Sequence, residues 1–451
     1  MNANVEKNAK LMSLEGYNIV IPAGSDESVV ELIAHEAKEL FAAWGTTVEV
    51  VSDNTPKQSR EIRIGKTNRT QSTAPDKLCY EIAAEPDGAV RILASSAYGY
   101  DEALSYIKEQ GGIPADVYQR ANAADALPAY KTSQIADSVR AIYYNIFLFG
   151  DYNGNRTETG GSFLLRAELL KDTFDAYSAD VLALQEYRDN RTYPNGVKPS
   201  AYMAEKLAEI GYDEVNVDDL VFASGDDRND TPIYYKRSTV KPIERGYLLY
   251  PRFMNEKYEV DENGTIPINN YDTKSLTWAV FEVMATGQRF AAMSTHLMYP
   301  AHDMGLTPEQ HNRARVIDAG LALEIIQDIK KMKGGIYADI PILLGGDMNT
   351  FPDTEPMFVL RDGGMRMARD MAKQTPDAVF DTYGGKGYCR YDYERKVYTR
   401  IPEVAKTDTG YDHVLFDNAD NAKLCKYLTL TDRVSRIPSD HPVKLVEFSF
   451  R

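Results

Sequence analysis

The chain has 451 residues, 43% of them hydrophobic and 26% charged, with a formal net charge of −16. That length allows two or three ordinary domains, the acidic balance disfavours a polyanion-binding surface, and no stretch is long and apolar enough to cross a bilayer as a helix. Cys79, Cys389 and Cys425 lie too far apart for a Cys-x-x-Cys metal knuckle and permit at most one disulfide. The opening residues Met1-Asn-Ala-Asn-Val-Glu-Lys-Asn8 hold no apolar signal core. The expected location is therefore secreted or periplasmic with a signal already removed, or otherwise cytoplasmic.

Residues 17–110 alternate compactly. Strands are predicted at Tyr17–Pro22, Thr47–Ser52, Glu61–Gly65, Leu78–Ala84 and Ala89–Ser95, with helices over Ser28–Trp44 and Ala97–Glu109. The spacing of Val29, Leu32, Ile33, Leu40 and Phe41 gives the first helix one apolar stripe. A small sheet with helices on one face fits this order, giving a small α+β domain over 1–114. Residues 115–135, rich in Ala, Asp and Pro, read as a linker. A larger domain over 136–451 follows.

In that larger region a strand opens at Val139–Leu148, a helix covers Leu164–Tyr177, and Val181–Leu184 is a short buried strand. Further strands are predicted at Pro232–Tyr235, Leu276–Val283, Phe290–Met293, Ile340–Leu344, Asp412–Phe416 and Val443–Phe450, with a helix from Pro308 to Lys330. Two sheets packed face to face with helices outside accommodate this series. Residues 150–162, 187–200 and 250–273 read as surface loops.

The most informative segments are Leu343-Leu-Gly-Gly-Asp347-Met-Asn349 and Ser439-Asp440-His441-Pro442. In the first, a buried strand runs into two glycines that permit a sharp turn and close approach, then into a carboxylate and an amide. If the chain stays extended, Asp347 and Asn349 share one face. The second segment supplies a carboxylate and an imidazole. Hard cations take oxygen ligands, and phosphoryl chemistry needs neutralised charge and an oriented water, so the pair points to metal-assisted phosphoester hydrolysis. Other strand ends add Asn145, Glu186, His296 and Asp412. Each alone is more often structural: a cap, a satisfied imidazole or a buried hydrogen bond. Asp412 and His413 are adjacent and face opposite ways in a strand, which places Asp412 in the site and His413 outside it. Polar groups gathered where several strands stop are how a sandwich builds a site at one rim.

The ordered set Tyr144-Asn145-Ile146, Leu184-Gln185-Glu186, Ser294-Thr295-His296-Leu297, Gly346-Asp347-Met348-Asn349, Tyr411-Asp412-His413 and Ser439-Asp440-His441-Pro442 resembles the endonuclease/exonuclease/phosphatase superfamily from about residue 138 onward. The resemblance implies a four-layer α/β sandwich and a Mg²⁺ or Mn²⁺ cofactor. It also implies Glu186 as principal metal ligand with Asn145 and Asp440 nearby, and Asp347 orienting or deprotonating the attacking water. Asn349 and His296 would hold the phosphate oxygens, and His441 paired with Asp412 would stabilise the transition state. Several nuclease members carry an acidic residue where this chain has Phe147. The first 110 residues resemble the accessory domain that precedes the catalytic barrel in bacterial β-hexosaminidases and α-glucuronidases.

Three readings follow from the sequence. The favoured one is a phosphatase or phosphodiesterase acting on a phospholipid headgroup, sugar phosphate or inositol phosphate. The second is a nuclease, whose groove would use Tyr152, Arg156, Arg188 and Arg191; of these, Tyr152 and Arg188 are the substrate-binding candidates. The third, a catalytically dead binding module, is disfavoured because every principal position holds a competent residue.

Overall fold

The stripe of Val29, Leu32, Ile33, Ala34, Ala37 and Phe41 is buried on the helix Val29–Ala43, whose N-terminus is capped by Ser28 accepting from Glu31 N. In the computed structural model the described residues are 10–25, 28–70, 72–73, 75–76, 78–123, 127–147, 163–187, 198–225, 229–250, 274–299, 308–380, 389–392, 397–400 and 410–451. Beside this helix and the helix Ala97–Gln110 lies a sheet of β1 (Asn18–Ile21), β2 (Glu49–Ser52), β3 (Glu61–Ile64), β4 (Cys79–Ala84), β5 (Val90–Ala94) and β6 (Tyr118–Asn122). The strand order is β2-β1-β3-β5-β4-β6, parallel from β2 to β5, with β4 antiparallel to β5 and β6. Strand β6 falls inside the segment read as a linker. Its sequence Tyr-Gln-Arg-Ala-Asn alternates between exposed and half-buried residues, because an edge strand needs only its backbone to pair.

Two units divide the chain: Met1–Ser133 with Asn155–Tyr177 and Cys389–Arg400, and Gln134–Gly154 with Ser178–Tyr388 and Ile401–Arg451. The helix Phe163–Tyr177, expected in the larger domain, groups with the first unit. Glu168 on it accepts from Val29 N at 2.9 Å, and Asp172 one turn later accepts from Ala97 N. One helix thus places a carboxylate at each of two helix N-termini, where backbone N–H groups and the dipole favour negative charge.

The second unit carries β7 (Ser138–Asn145), β8 (Val181–Gln185), β9 (Tyr212–Glu214), β10 (Ile233–Lys236), β11 (Val240–Leu249), β12 (Ser275–Val283), β13 (Arg289–His296), β14 (Ile342–Asp347), β15 (Arg366–Met367) and β16 (Val379–Phe380). After a ribbon of β17 (Cys389–Asp392) and β18 (Val397–Arg400), grouped with the first unit, come β19 (Asp412–Asp417), β20 (Ala422–Leu430) and β21 (Val443–Phe450). One sheet runs β16-β20-β21-β7-β8-β10-β9 and the other β11-β12-β13-β14-β19-β15.

Alternation along the strands builds the core. Val139, Ala141 and Tyr143 of β7 and Val446 and Phe448 of β21 meet Phe281, Phe290, Ala292, Leu343 and Phe416 of the facing sheet. The Phe416 and Phe448 rings meet edge to face at 5.5 Å. On the outer side of the second sheet, Trp278, Val280, Met293, Ile342 and Leu344 pack with Ala322, Ile326 and Ile329 of the helix Pro308–Gly335. The architecture is the expected α/β sandwich of packed mixed sheets flanked by helices.

Candidate active site

Strands β7 and β8 run parallel, as do β13 and β14, and β19 runs antiparallel to β14. Consequently the last residues of four strands and the first of a fifth come to one rim. Asn145 pairs in register with Gln185, His296 with Asp347, and Asp347 with Asp412. Gln185 ties the two sheets together below the rim, donating to Ser294 Oγ at 2.9 Å, while Ser294 Oγ donates to Leu184 O.

A recurrent turn fixes the spacing of the motifs. Asn145 Oδ1 accepts from Phe147 N, Asp347 Oδ1 from Asn349 N, and Ser439 Oγ from His441 N, at 2.9, 2.9 and 3.1 Å. A side-chain oxygen bonding the N–H two residues on holds the chain in a turn as it leaves a strand. Phe147, Glu186 and Asn349 all have left-handed φ, at +57°, +59° and +48°. Such backbone is costly for residues other than glycine and concentrates at functional sites. This corrects the extended reading of Asp347 and Asn349: the two are brought together by a turn with positive φ at Asn349, and strand pleat plays no part. Gly346 has φ +138°, and a Cβ there would lie 2.1 Å from Thr295 O. The second glycine is required for β14 to approach β13 at the site.

At the centre, Asn145 Nδ2 lies 3.1 Å from Glu186 Oε1, 2.9 Å from Asp347 Oδ2 and 3.3 Å from His441 Nε2. His441 Nδ1 is 2.9 Å from Asp412 Oδ2, and its Nε2 lies 3.7 Å from Asp347 and 3.8 Å from Asp440. Burial opposes a charge on His441, but the carboxylates of Asp412, Asp347 and Asp440 outweigh it and hold the imidazole well above its ordinary value. The shift is toward the protonated ring. Burial also disfavours ionisation of Asp347, yet the neighbouring cations, His441 foremost, keep its carboxyl below the usual range. His413, by contrast, turns away and reaches Thr350 O at 3.0 Å, as strand alternation predicts.

The donor set suits a hard divalent cation. Ligand-type atoms of Glu186, His296 and Asp347 lie within 4.8 Å of one another, as do those of Asp347, Asp412 and His441; both nitrogens of His296 are engaged by Asp230 and Lys274, which leaves the carboxylates as the donors. Asp440, although its side chain is 38% exposed, has a buried Oδ1 with no hydrogen-bond partner among the described residues. Burial pushes its carboxyl up to about 6, with Glu186 and Asp347 adding to the shift and His441 opposing it. Carboxylates crowded in this way are satisfied by a cation that prefers oxygen ligands.

His296 is held differently from the clamp expected of it. Its Nδ1 is 2.8 Å from Asp230 Oδ2, and Lys274 Nζ lies 2.7 Å from its Nε2. An ammonium only donates, so Nε2 accepts and the ring proton sits on Nδ1, facing Asp230. The imidazole thereby positions a buried lysine, and it is Lys274 that presents positive charge beside Asp347. Asn349 donates one amide N–H to Leu297 O at 2.9 Å. Asp230 and Lys274 escape sequence reasoning. Their only signals are a carboxylate three residues before a strand and a lone lysine heading the apolar run Ser275–Val283. Arg188 and Tyr152 lie outside the described residues, as do nearly all of the loops 150–162, 187–200 and 250–273.

Two stacked mixed sheets thus deliver carboxylates, amides and an imidazole from their strand ends to one rim. The endonuclease/exonuclease/phosphatase family model matches residues 142–441, and the chain belongs to that family. A search of curated proteins finds no match. Among solved structures, the chain is similar to an endonuclease/exonuclease/phosphatase family protein from Bacteroides thetaiotaomicron at 18% identity and TM-score 0.48, covering 70% of this chain and 98% of that one. It is similar to the mannosyl-6-phosphatase Bt3783 of the same organism at 17% and 0.49, covering 69% and 100%. The catalytic domain of human Nocturnin is matched at 15% and 0.43, covering 71% and 97%. No described helix is long and apolar enough to cross a membrane.

Proposed function

We propose that the protein is a divalent-metal-dependent phosphoester hydrolase, a phosphatase or phosphodiesterase, acting on a substrate other than nucleic acid. The observation that carries this reading is the single amide of Asn145 in contact with Glu186, Asp347 and His441 at once. Those residues come from β7, the end of β8, β14 and the segment before β21. The acidic net charge supports a sugar phosphate, inositol phosphate or phospholipid headgroup over a polyanion.

Glu186, Asn145 and Asp440 would hold Mg²⁺ or Mn²⁺, which supplies charge neutralisation to the phosphoryl group. Asp347, ionised and buried, accepts a proton from the attacking water and orients it. His441, pointed by Asp412 and with its ring drawn toward the protonated form by the surrounding carboxylates, faces Asp347 and stabilises negative charge as it grows. Lys274 and the remaining N–H of Asn349 hold phosphate oxygens, with His296 and Asp230 fixing the lysine's place. The test is phosphate release by chelator-stripped protein, with and without added Mg²⁺, from a panel of hexose phosphates, inositol phosphates, phosphorylcholine esters and plasmid DNA. Nicked plasmid without release from the small esters would overturn the substrate class.

A further inference from the structure

Two residues beyond Asn349, the side chain of Phe351 is left 50% exposed. Its ring rests on Tyr411 at a centroid distance of 5.0 Å and a tilt of 46°. Hydrogen bonds hold the backbone that carries both rings. Tyr411 O accepts from Met348 N, one step beyond the Asp347–Asp412 pair of the β14–β19 ladder. Thr350 O accepts from His413 Nε2, Thr350 Oγ1 meets Thr354 Oγ1 at 2.8 Å, and Thr354 Oγ1 donates to Phe351 O at 2.7 Å. Along the chain Phe351 follows Asn349 by two residues and Tyr411 directly precedes Asp412.

A partly exposed aromatic pair carried on the segments that also carry Asn349 and Asp412 offers a face on which a ring can stack. Polymeric nucleic acid is repelled by a chain of charge −16, and a lipid tail would want a broader apolar patch than one ring pair set among Thr350, Asp353 and Thr354. The exposed carboxylate of Asp353, two residues from the ring, supplies an acceptor for hydroxyl groups. A face for C–H bonds next to an acceptor for O–H bonds matches a pyranose ring. Resting on the phosphoesterase reading above, we infer that Phe351 and Tyr411 form the wall of a leaving-group subsite that takes the face of a phosphorylated sugar.

The experiment has a kinetic and a binding arm. In the first, kcat/KM for a panel of aldohexose 6-phosphates is divided by that for ethyl phosphate, both with Mg²⁺. Loss of one stacking contact corresponds to roughly tenfold, so this ratio falls about tenfold in Phe351→Ala and is restored in Phe351→Tyr. An unchanged ratio overturns the subsite. A ratio favouring nucleoside 5′-monophosphates, lost in Phe351→Ala, overturns the sugar in favour of a stacked base. In the second arm, saturation-transfer NMR follows unphosphorylated methyl pyranosides on chelator-treated protein. Binding that depends on Phe351 supports the subsite even if no ester is cleaved, in which case only the phosphoesterase reading fails. Absence of binding to the wild type overturns the subsite by itself.

Discussion

Replacing Gly346 by alanine tests how the site is assembled. An ideal Cβ at this position lies 2.1 Å from Thr295 O and 3.0 Å from the Gln185 amide, at a φ of +138° that alanine rarely adopts. The first obstacle is backbone of the paired strand β13, which cannot rotate aside as a side chain can. Overpacking of this kind costs about 1–3 kcal/mol, and the unfavourable φ adds roughly 1–3 kcal/mol more. The sum, about 2–6 kcal/mol, is a large part of a typical stability of roughly 5–15 kcal/mol. It corresponds to a fall in melting temperature of about 4–20 °C. Separation of β13 from β14 would also break the His296–Asp347 register, so hydrolysis should fall even at temperatures where the variant stays folded. Gly287→Ala is the control: its φ is +72°, but a Cβ there meets nothing within 4 Å, so only the conformational cost of roughly 1 kcal/mol applies. Circular dichroism melts of both variants decide the matter. A Gly346→Ala protein that melts and turns over like Gly287→Ala would refute the close approach on which the site geometry rests.

Asp412→Asn removes the anion that points and charges His441, and the expected result is a fall in kcat of about 10²–10³ with little change in KM; a rate near wild type would remove His441 from the mechanism. Lys274→Met should lower kcat and weaken inhibition by inorganic phosphate, whereas Lys274→Arg recovers part of both. Equal phosphate inhibition in Lys274→Met and the wild type would show that the lysine only fills space. Burial pushes the Asp318 carboxyl up to about 8, against the opposing pull of the Met298 N–H, Arg315 and Lys274. The native state therefore favours its protonated form, and stability from this group is complete below about pH 4 and lost as pH rises towards 8. Asp318→Asn should flatten the decline in urea midpoint between pH 5 and pH 8, and parallel curves for the two proteins would contradict the assignment.

The candidate rim is legible because buried apolar strands end in residues that would be costly inside a sheet. Val181–Leu184 running into Glu186 and Ile342–Leu344 running into Asp347 are visible as a change of texture. Strands β11 and β20 were not. In β11, Lys241, Pro242, Glu244 and Arg245 break the apolar alternation, and a bulge between Pro242 and Glu244 shifts the register. In β20 a bulge between Leu424 and Lys426 has the same effect on the period. Asp230 and Lys274 depend on tertiary pairing, since each gains its meaning only when β10 and β12 carry it to His296. The turn hydrogen bonds at Asn145, Asp347 and Ser439 explain why the motif residues sit two apart, a reason that hydrophobic periodicity does not contain.

The proposed hydrolysis needs the rim residues to hold a divalent ion. The most direct measurement is Mn²⁺ titration of chelator-stripped protein by electron paramagnetic resonance, paired with hydrolysis of bis-p-nitrophenyl phosphate and p-nitrophenyl phosphate in the same samples. The expected result is one saturable class of bound Mn²⁺ in the wild type, activity that rises in step with occupancy, and loss of both in Glu186→Gln. Full turnover with the ion removed, or undiminished Mn²⁺ binding and activity in Glu186→Gln, would contradict it.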